Sequence, residues 1–201
     1  MEGLLMCGGE GTRLRPAVDD TEKPLVAVDG EPMVDHVVEA LQASRVESVV
    51  AAVSPATPET AARLADREGV RLTETPGAGY VDDLITVLET LEQPVVTVTA
   101  DIPLLTGRLV DRAIEAADGK SLAVCVPQSL VEQVGASVGT TVDHDGEQVV
   151  PTGLNVVGPG PDRRVVWEAE RLACNVNRPA DIRFAEEMFV DREGRFSNSP
   201  I

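Results

Sequence analysis

The residues of this chain that could do chemistry gather at a few places. Gly8, Gly9, Gly11, Thr12 and Arg13 lie in "GGEGTRL", directly after the apolar run "LLMC". Glycines let the backbone bend and bring its N–H groups close to a ligand. A row of such groups is an anion site. Arg13 adds positive charge, and so does Lys23 within "EKPL". Lys23 and Lys120 are the only lysines in the chain. A compact ammonium meets a phosphate differently from a guanidinium fork, or it stands simply as a surface cation. The loop and its cations together read as a polyphosphate site.

Asp101, in "TVTADIPLL", follows a second apolar run. A carboxylate there can hold Mg²⁺, which takes one or two carboxylates with phosphate oxygens and water. It can equally cap a helix or a turn. Asn175 and Asn177, in "CNVNRPADI", stand two apart and so share one face of a strand. They can meet a metal or a substrate, or serve turn chemistry before Pro179.

Other chemistries have no residues to carry them. The string GxxxxGK[ST] of a nucleoside-triphosphatase loop is absent. Gly9-Glu10-Gly11 begins a dinucleotide fingerprint, but Leu14 takes its last position, and "GAGYVD" at Gly77 fails there too, at Asp82. Cys7, Cys125 and Cys174 are far apart and odd in number, which argues against a disulfide framework or a zinc site. His36 and His144 are the only histidines. Neither neighbours the glycine loop in sequence, and both read as structural or surface groups. No Ser-His-Asp arrangement is legible.

The elements that must position these residues alternate along the chain. Strands are predicted at 2–7, 46–53, 70–74, 95–99 and 122–126, from short apolar runs suited to a buried parallel sheet. Helices are predicted between them at 32–43, 58–67, 80–91 and 108–117, from apolar residues at helical spacing. The rhythm then changes. Residues 140–150 alternate around Asp145-Gly146, a hairpin signal. Strands follow at 153–157 and 171–176, and a last helix at 179–189. The fold class is α/β: a Rossmann-like, doubly wound, mostly parallel sheet with an antiparallel edge. Residues 1–190 read as one domain and 191–201 as a flexible polar tail. In such sheets ligands bind beyond the carboxyl ends of the strands, where both the glycine loop and Asp101 fall.

Composition narrows the partners. The 201 residues are 43% hydrophobic and 2% aromatic, so the core is built from Val, Leu, Ala and Ile. No stretch approaches the roughly 18 apolar residues of a membrane span. No basic segment precedes the first apolar run, so the N-terminus does not read as a secretion signal and the protein reads as cytoplasmic. The net charge is −17, which repels nucleic acid. It also destabilises the compact state through self-repulsion at low salt. The host therefore reads as halophilic, against the plainer reading of an ordinary acidic protein.

These motifs resemble a known family. GGxGTRL followed by KPL, "DIPLL" after the fourth strand and the late "NVNRPAD" are similar to the nucleotidyltransferases related to molybdenum cofactor guanylyltransferase. "SPATPET", "TPGAGYVDDL" and "VPTGLNVV" are more similar to one branch, the archaeal enzymes that guanylylate adenosylcobinamide phosphate in cobalamin synthesis. The resemblance covers the chain from end to end. It implies that GTP donates GMP to the phosphate of a corrinoid, with Mg²⁺ as cofactor and pyrophosphate as leaving group. It implies that Gly8, Gly9, Gly11, Thr12 and Arg13 wrap the triphosphate. Lys23 would neutralise charge near the α-phosphate, and Asp101 would bind the metal. Arg13, Lys23 and Asp101 are thus the implied catalytic set. Thr75, Gly77 and Gly79 would lie near the base or ribose, and Gly153, Asn155, Asn175 and Asn177 would border the acceptor. The segment from Leu14 to Glu22 is acidic, which leaves its fit around phosphates open.

The physics of the reaction fits this chain. Phosphoryl-type transfer needs positioning and charge stabilisation more than covalent catalysis, and an acceptor phosphate is already an anion. Two other readings stand beside it: a GTP-sensing module without catalysis, and the same chemistry with molybdopterin or a sugar phosphate as acceptor. The expected partners are GTP and a corrinoid phosphate, with a homodimer as the assembly to test. One property follows from charge alone. The melting midpoint should rise from dilute to molar KCl, as the Debye length falls to about 3 Å and the repulsion is screened. A flat or falling midpoint would remove the halophilic reading.

Overall fold

A computed structural model describes residues 1–9, 11–14, 18 and 20–195, the last five for backbone only. The first strand, β1 (Glu2–Met6), is the axis of the sheet. It pairs in parallel with β4 (Ser48–Val53) on one side and with β6 (Val95–Thr99) on the other. β5 (Val70–Glu74) continues beyond β4. Such central strands are covered on both faces, which is why they read as almost unbroken apolar runs. Alternation still sorts their side chains. Leu5 and Cys7 face the cluster that includes Val34, Val37, Val38 and Leu41 of helix α1 (Met33–Gln42). Leu4 and Met6 face the opposite cluster, with Val87 of helix α3 (Tyr80–Leu88). Between these helices in sequence runs α2 (Pro58–Leu64).

With β7 (Leu122–Pro127), β9 (Glu147–Val157) and β10 (Arg163–Val166), strand order is β10-β7-β9-β6-β1-β4-β5. The connection from β5 returns to the far side of β1, so strand order reverses between β1 and β6. That reversal opens a crevice at their carboxyl ends, the usual ligand site of such sheets.

The mostly parallel α/β sheet agrees with expectation, but its antiparallel component is not confined to an edge. β9 (Glu147–Val157) lies inside the sheet, antiparallel to both β6 and β7 (Leu122–Pro127). The Asp145-Gly146 turn is present, with φ of 54° and 88°, and joins β8 (Val142–His144) to β9. The pair of positive φ values is what a tight hairpin needs. β9 then runs on without a break through both segments predicted on either side of Pro151. Its register against β7 shifts between Ala123 and Cys125, a bulge in which Gly153 adopts φ +85°.

Two further predictions are corrected. The segment at 171–176 is not a strand: a 3₁₀ turn spans Glu170–Leu172, and Val176 donates a single bond to Asp101 O, at 2.8 Å. The additional strand is instead β10 (Arg163–Val166), parallel to β7 at the sheet's margin. Helix α4 (Gly107–Ala117) is capped by Thr106, whose hydroxyl accepts from Leu109 N. Asp101 is therefore not that helix's cap. A short helix, α5 (Gln128–Gln133), follows β7. The last helix, α6 (Pro179–Arg195), runs past its predicted end and through the first residues of the expected tail. The expectation for 196–201 lies outside the described residues. β2 (Ala27–Val28) and β3 (Glu31–Pro32) form a separate small ribbon. Among the described residues, no helix is long and apolar enough to cross a membrane.

Candidate functional site

The site grows from the way Lys23 meets the glycine loop. Lys23 opens a 3₁₀ turn, Lys23–Leu25, and its aliphatic stem lies along the loop after β1. A Cβ on Gly11 would stand 2.7 Å from Lys23 Cβ, and Gly11 itself has φ +64°. Both facts require glycine at this position. The turn is held from behind by Glu22. Its carboxylate accepts from Glu59 N and Thr60 N at 2.7 Å each, and from the Thr60 hydroxyl at 2.6 Å. Free N–H groups at the start of α2 thus find their acceptor in a distant loop.

The Lys23 ammonium donates to Asp101 Oδ2 at 2.5 Å and to Asn177 Oδ1 at 2.9 Å. Arg13 Nη2 donates to the same Asn177 oxygen, also at 2.9 Å. Lys23 and Asp101 are mostly withdrawn from water, with side chains 13% and 15% exposed. Residues far apart in the chain thereby meet at one point beyond β1 and β6. Gly8, Gly9, Lys23 and Asp101 line a cleft of about 170 Å³ there. That space is small beside the roughly 300–1,000 Å³ of a typical ligand site.

Asn177 is itself placed by a residue the sequence reading passed over. Asp181 is fully buried. Its carboxylate accepts from Asn177 N, Arg178 N, Ser137 N and the Ser137 hydroxyl, at 2.7–2.9 Å. The Asn175 side chain is committed elsewhere and donates to Thr152 O at 3.1 Å. The two asparagines therefore have different tasks, one at the cations and one bracing β9.

The remaining predicted residues fall at varying distances from the cleft. Thr12 and Arg13 are exposed on the loop. Thr75 is buried, with its N–H and hydroxyl both given to Val53 O. Gly77 and Gly79 have positive φ and form the approach to α3. Gly153 packs against Thr99: a Cβ there would stand 2.2 Å from Thr99 Oγ1. Its identity is thus set by the bulge and by this close approach. Asn155 sits in the middle of β9, paired with Thr97 and Ala123. Most of the loop between Leu14 and Asp20 lies outside the described residues.

Sequence reasoning also passed over Tyr80 and Asp83, which line the cleft. The Tyr80 side chain is 44% exposed. Its phenol pKa is nevertheless raised, first by burial and then by the Asp101 charge. The cysteines offer no nucleophile. Burial, assisted by the Glu22 charge, pushes the Cys7 thiol up to about 12. Cys174 is raised by burial and by Asp181 and Asp101, and Cys125 by burial. The His36 ring donates to Val28 O at 2.8 Å, and His144 stands by the hairpin turn.

Replacing Asp181 by alanine would take the shared, buried, charged acceptor from three backbone N–H groups, those of Ser137, Asn177 and Arg178. Each such loss costs about 1–3 kcal/mol. Urea unfolding of Asp181→Ala should show a loss of at least about 2 kcal/mol. A variant as stable as the parent would contradict the bracing role.

A family model described as "MobA-like NTP transferase domain" matches residues 3–149. Over almost all of its length the chain is similar to an adenosylcobinamide-phosphate guanylyltransferase of Methanocaldococcus jannaschii. Identity is 28%, covering 96% of this chain and 100% of the relative. A mannose-1-phosphate guanyltransferase of Kluyveromyces lactis is 42% identical over 36% of this chain and 21% of its own. Among solved structures, a CMP:2-keto-3-deoxy-manno-octonic acid synthetase complexed with CTP superposes with a TM-score of 0.65. Identity is 15%, over 95% of this chain and 99% of that one. A hypothetical transferase from Thermus thermophilus gives a TM-score of 0.60 at 23% identity, over 78% and 64% of the two chains. These structural likenesses speak for the fold. The family match spans most of the chain, glycine loop and Asp101 included, and the chain belongs to the MobA-like NTP transferase family.

Proposed function

We propose that this protein transfers GMP from GTP to adenosylcobinamide phosphate, giving adenosylcobinamide-GDP and pyrophosphate. The observation that carries the reading is the end-to-end similarity to the M. jannaschii guanylyltransferase, which reaches beyond the family domain into the "NVNRPAD" segment. In this reaction an oxygen of the acceptor phosphate forms a bond to the α-phosphorus of GTP. The bond from that phosphorus to the bridging oxygen breaks, and pyrophosphate leaves with the electron pair.

The chain's residues supply positioning and charge. Backbone N–H groups of Gly8, Gly9 and Gly11 face the triphosphate, with Thr12 and Arg13 at its outer side. Lys23 turns from Asp101 to a phosphate oxygen as negative charge arrives. Once turned on nucleotide binding, the ammonium needs no further reorganisation at the moment of reaction. No protein base is needed, which agrees with histidines engaged away from the cleft.

Magnesium fits the site. Asp101 Oδ1 is buried and has no hydrogen-bond partner, so one carboxylate oxygen is available. Among the described residues, no cluster of three or more His, Cys, Asp or Glu is gathered to cage an ion. Asp101 would therefore hold Mg²⁺ together with phosphate oxygens and water. Bound there, the ion would neutralise charge that develops on the phosphates.

The test is pyrophosphate release with GTP, Mg²⁺ and equal concentrations of adenosylcobinamide phosphate, molybdopterin and mannose 1-phosphate. Transfer to the corrinoid is expected. Lys23→Ala should lower kcat/KM by at least ~10²-fold, the usual worth of one electrostatic donor. Preferred transfer to molybdopterin or to the sugar phosphate would replace the acceptor assignment. Release without any acceptor preference, or none at all, would overturn the function.

A further inference from the structure

The cleft is lined by a second carboxylate, and its presence needs a reason. Asp101 is matched by Lys23, but Asp83 has no cation partner among the described residues and is only 4% exposed. Its Oδ1 accepts from Gly77 N at 3.1 Å and from Ala78 N at 3.2 Å. These bonds fold the loop before α3 and fix the carboxylate in place. Its Oδ2 has no hydrogen bond from any described residue. It lies 3.6 Å from the point where a Cβ on Gly8 would stand, so glycine at position 8 leaves it uncovered. The carboxylate thus has one oxygen committed to the loop and one left open on the cleft wall. A ligand that brings donors would complete its hydrogen bonding.

An ionised carboxylate only accepts hydrogen bonds. Guanine presents two adjacent donors on its pairing edge, the ring N1–H and the exocyclic N2–H₂. Adenine has an acceptor at N1, and cytosine and uracil carry a carbonyl at C2. We propose that Asp83 is the base-reading residue, with Oδ2 accepting from the guanine N1–H and N2–H while Oδ1 keeps the Gly77-Ala78 loop closed. This inference rests on the guanylyl reading above and gives it a specific residue. It also separates the cleft into two ends. Lys23 and the glycine loop take the phosphates, and Asp83 takes the base.

The experiment measures binding by displacement of a fluorescent GTP analogue, with GTP, ITP, XTP, ATP and CTP as competitors. For the parent protein, GTP should bind best. ITP lacks the 2-amino donor and should bind at least ~10-fold more weakly. ATP should be weaker again. In Asp83→Asn the side-chain amide can donate to the C2 carbonyl of xanthine. The GTP-to-XTP preference should then shift by at least ~10²-fold toward XTP, because both partners of the contact are exchanged.

A brace with no reading role predicts something different: Asp83→Asn weakens all nucleotides by the same factor, and the parent does not distinguish GTP from ITP. That pattern overturns the inference and leaves guanylyl transfer standing. A parent that prefers CTP or ATP overturns both. If Asp83→Asn does not fold, the GTP-to-ITP ratio of the parent decides alone, and a ratio near one rejects the inference.

Discussion

The site depends on one packing constraint: the stem of Lys23 lies against the backbone of the glycine loop. Gly11 cannot carry a side chain without striking Lys23 Cβ. The loop after β1 and the turn that opens at Lys23 are therefore shaped for each other. Asp101 and Asn177 then set the direction of the ammonium, and Glu22 anchors the turn on α2. Arg13 joins the same cluster through Asn177. The loop is thus more than a flexible phosphate cradle. It is the groove in which the Lys23 stem rests, with the ammonium held by Asp101 and Asn177.

Charge makes this arrangement informative. With 34 acidic against 17 basic residues, the surface as a whole repels a nucleoside triphosphate. Against that field the cations at the glycine loop stand together. Two of them meet at a single asparagine oxygen, beyond the ends of β1 and β6. A buried Leu14 ties the loop to Val26, Val28, Leu104 and Val176 in a small separate core. Apolar packing therefore holds the same segments together that the polar contacts align. Hydrophobic burial supplies the stability, and the hydrogen bonds select the geometry.

Much of this was legible because the signals are local. An apolar run ending in glycine marks a strand and its ligand loop, and β1 with the loop after it is there. Lys23 was conspicuous because the chain almost avoids lysine, and Asp101 because it follows a buried strand. What the sequence hid was long-range. Asp181 acts on Ser137 across 44 positions, and nothing near either residue signals that contact. Asp83 and Tyr80 sit in an ordinary amphipathic helix pattern, so their place on the cleft wall depends on how α3 docks. Register hid the rest. β9 reads as two segments parted at Pro151, which has no N–H for a ladder, yet one strand runs through it and carries its bulge at Gly153. β10 contains two exposed arginines and two half-buried valines, a weak pattern for a strand at the sheet margin. The run at 171–176 has strand-like residues but makes one backbone bond to Asp101 in place of a ladder.

The central claim is that Lys23 exchanges Asp101 for a phosphate when nucleotide binds in this groove. The measurement that tests it most directly is a crystal structure with a non-transferable GTP analogue and Mg²⁺. The account predicts the triphosphate against the backbone of Gly8, Gly9 and Gly11, with Lys23 Nζ within hydrogen-bond distance of a phosphate oxygen and withdrawn from Asp101. A triphosphate bound elsewhere, with Lys23 still joined to Asp101 and Asn177, would contradict it.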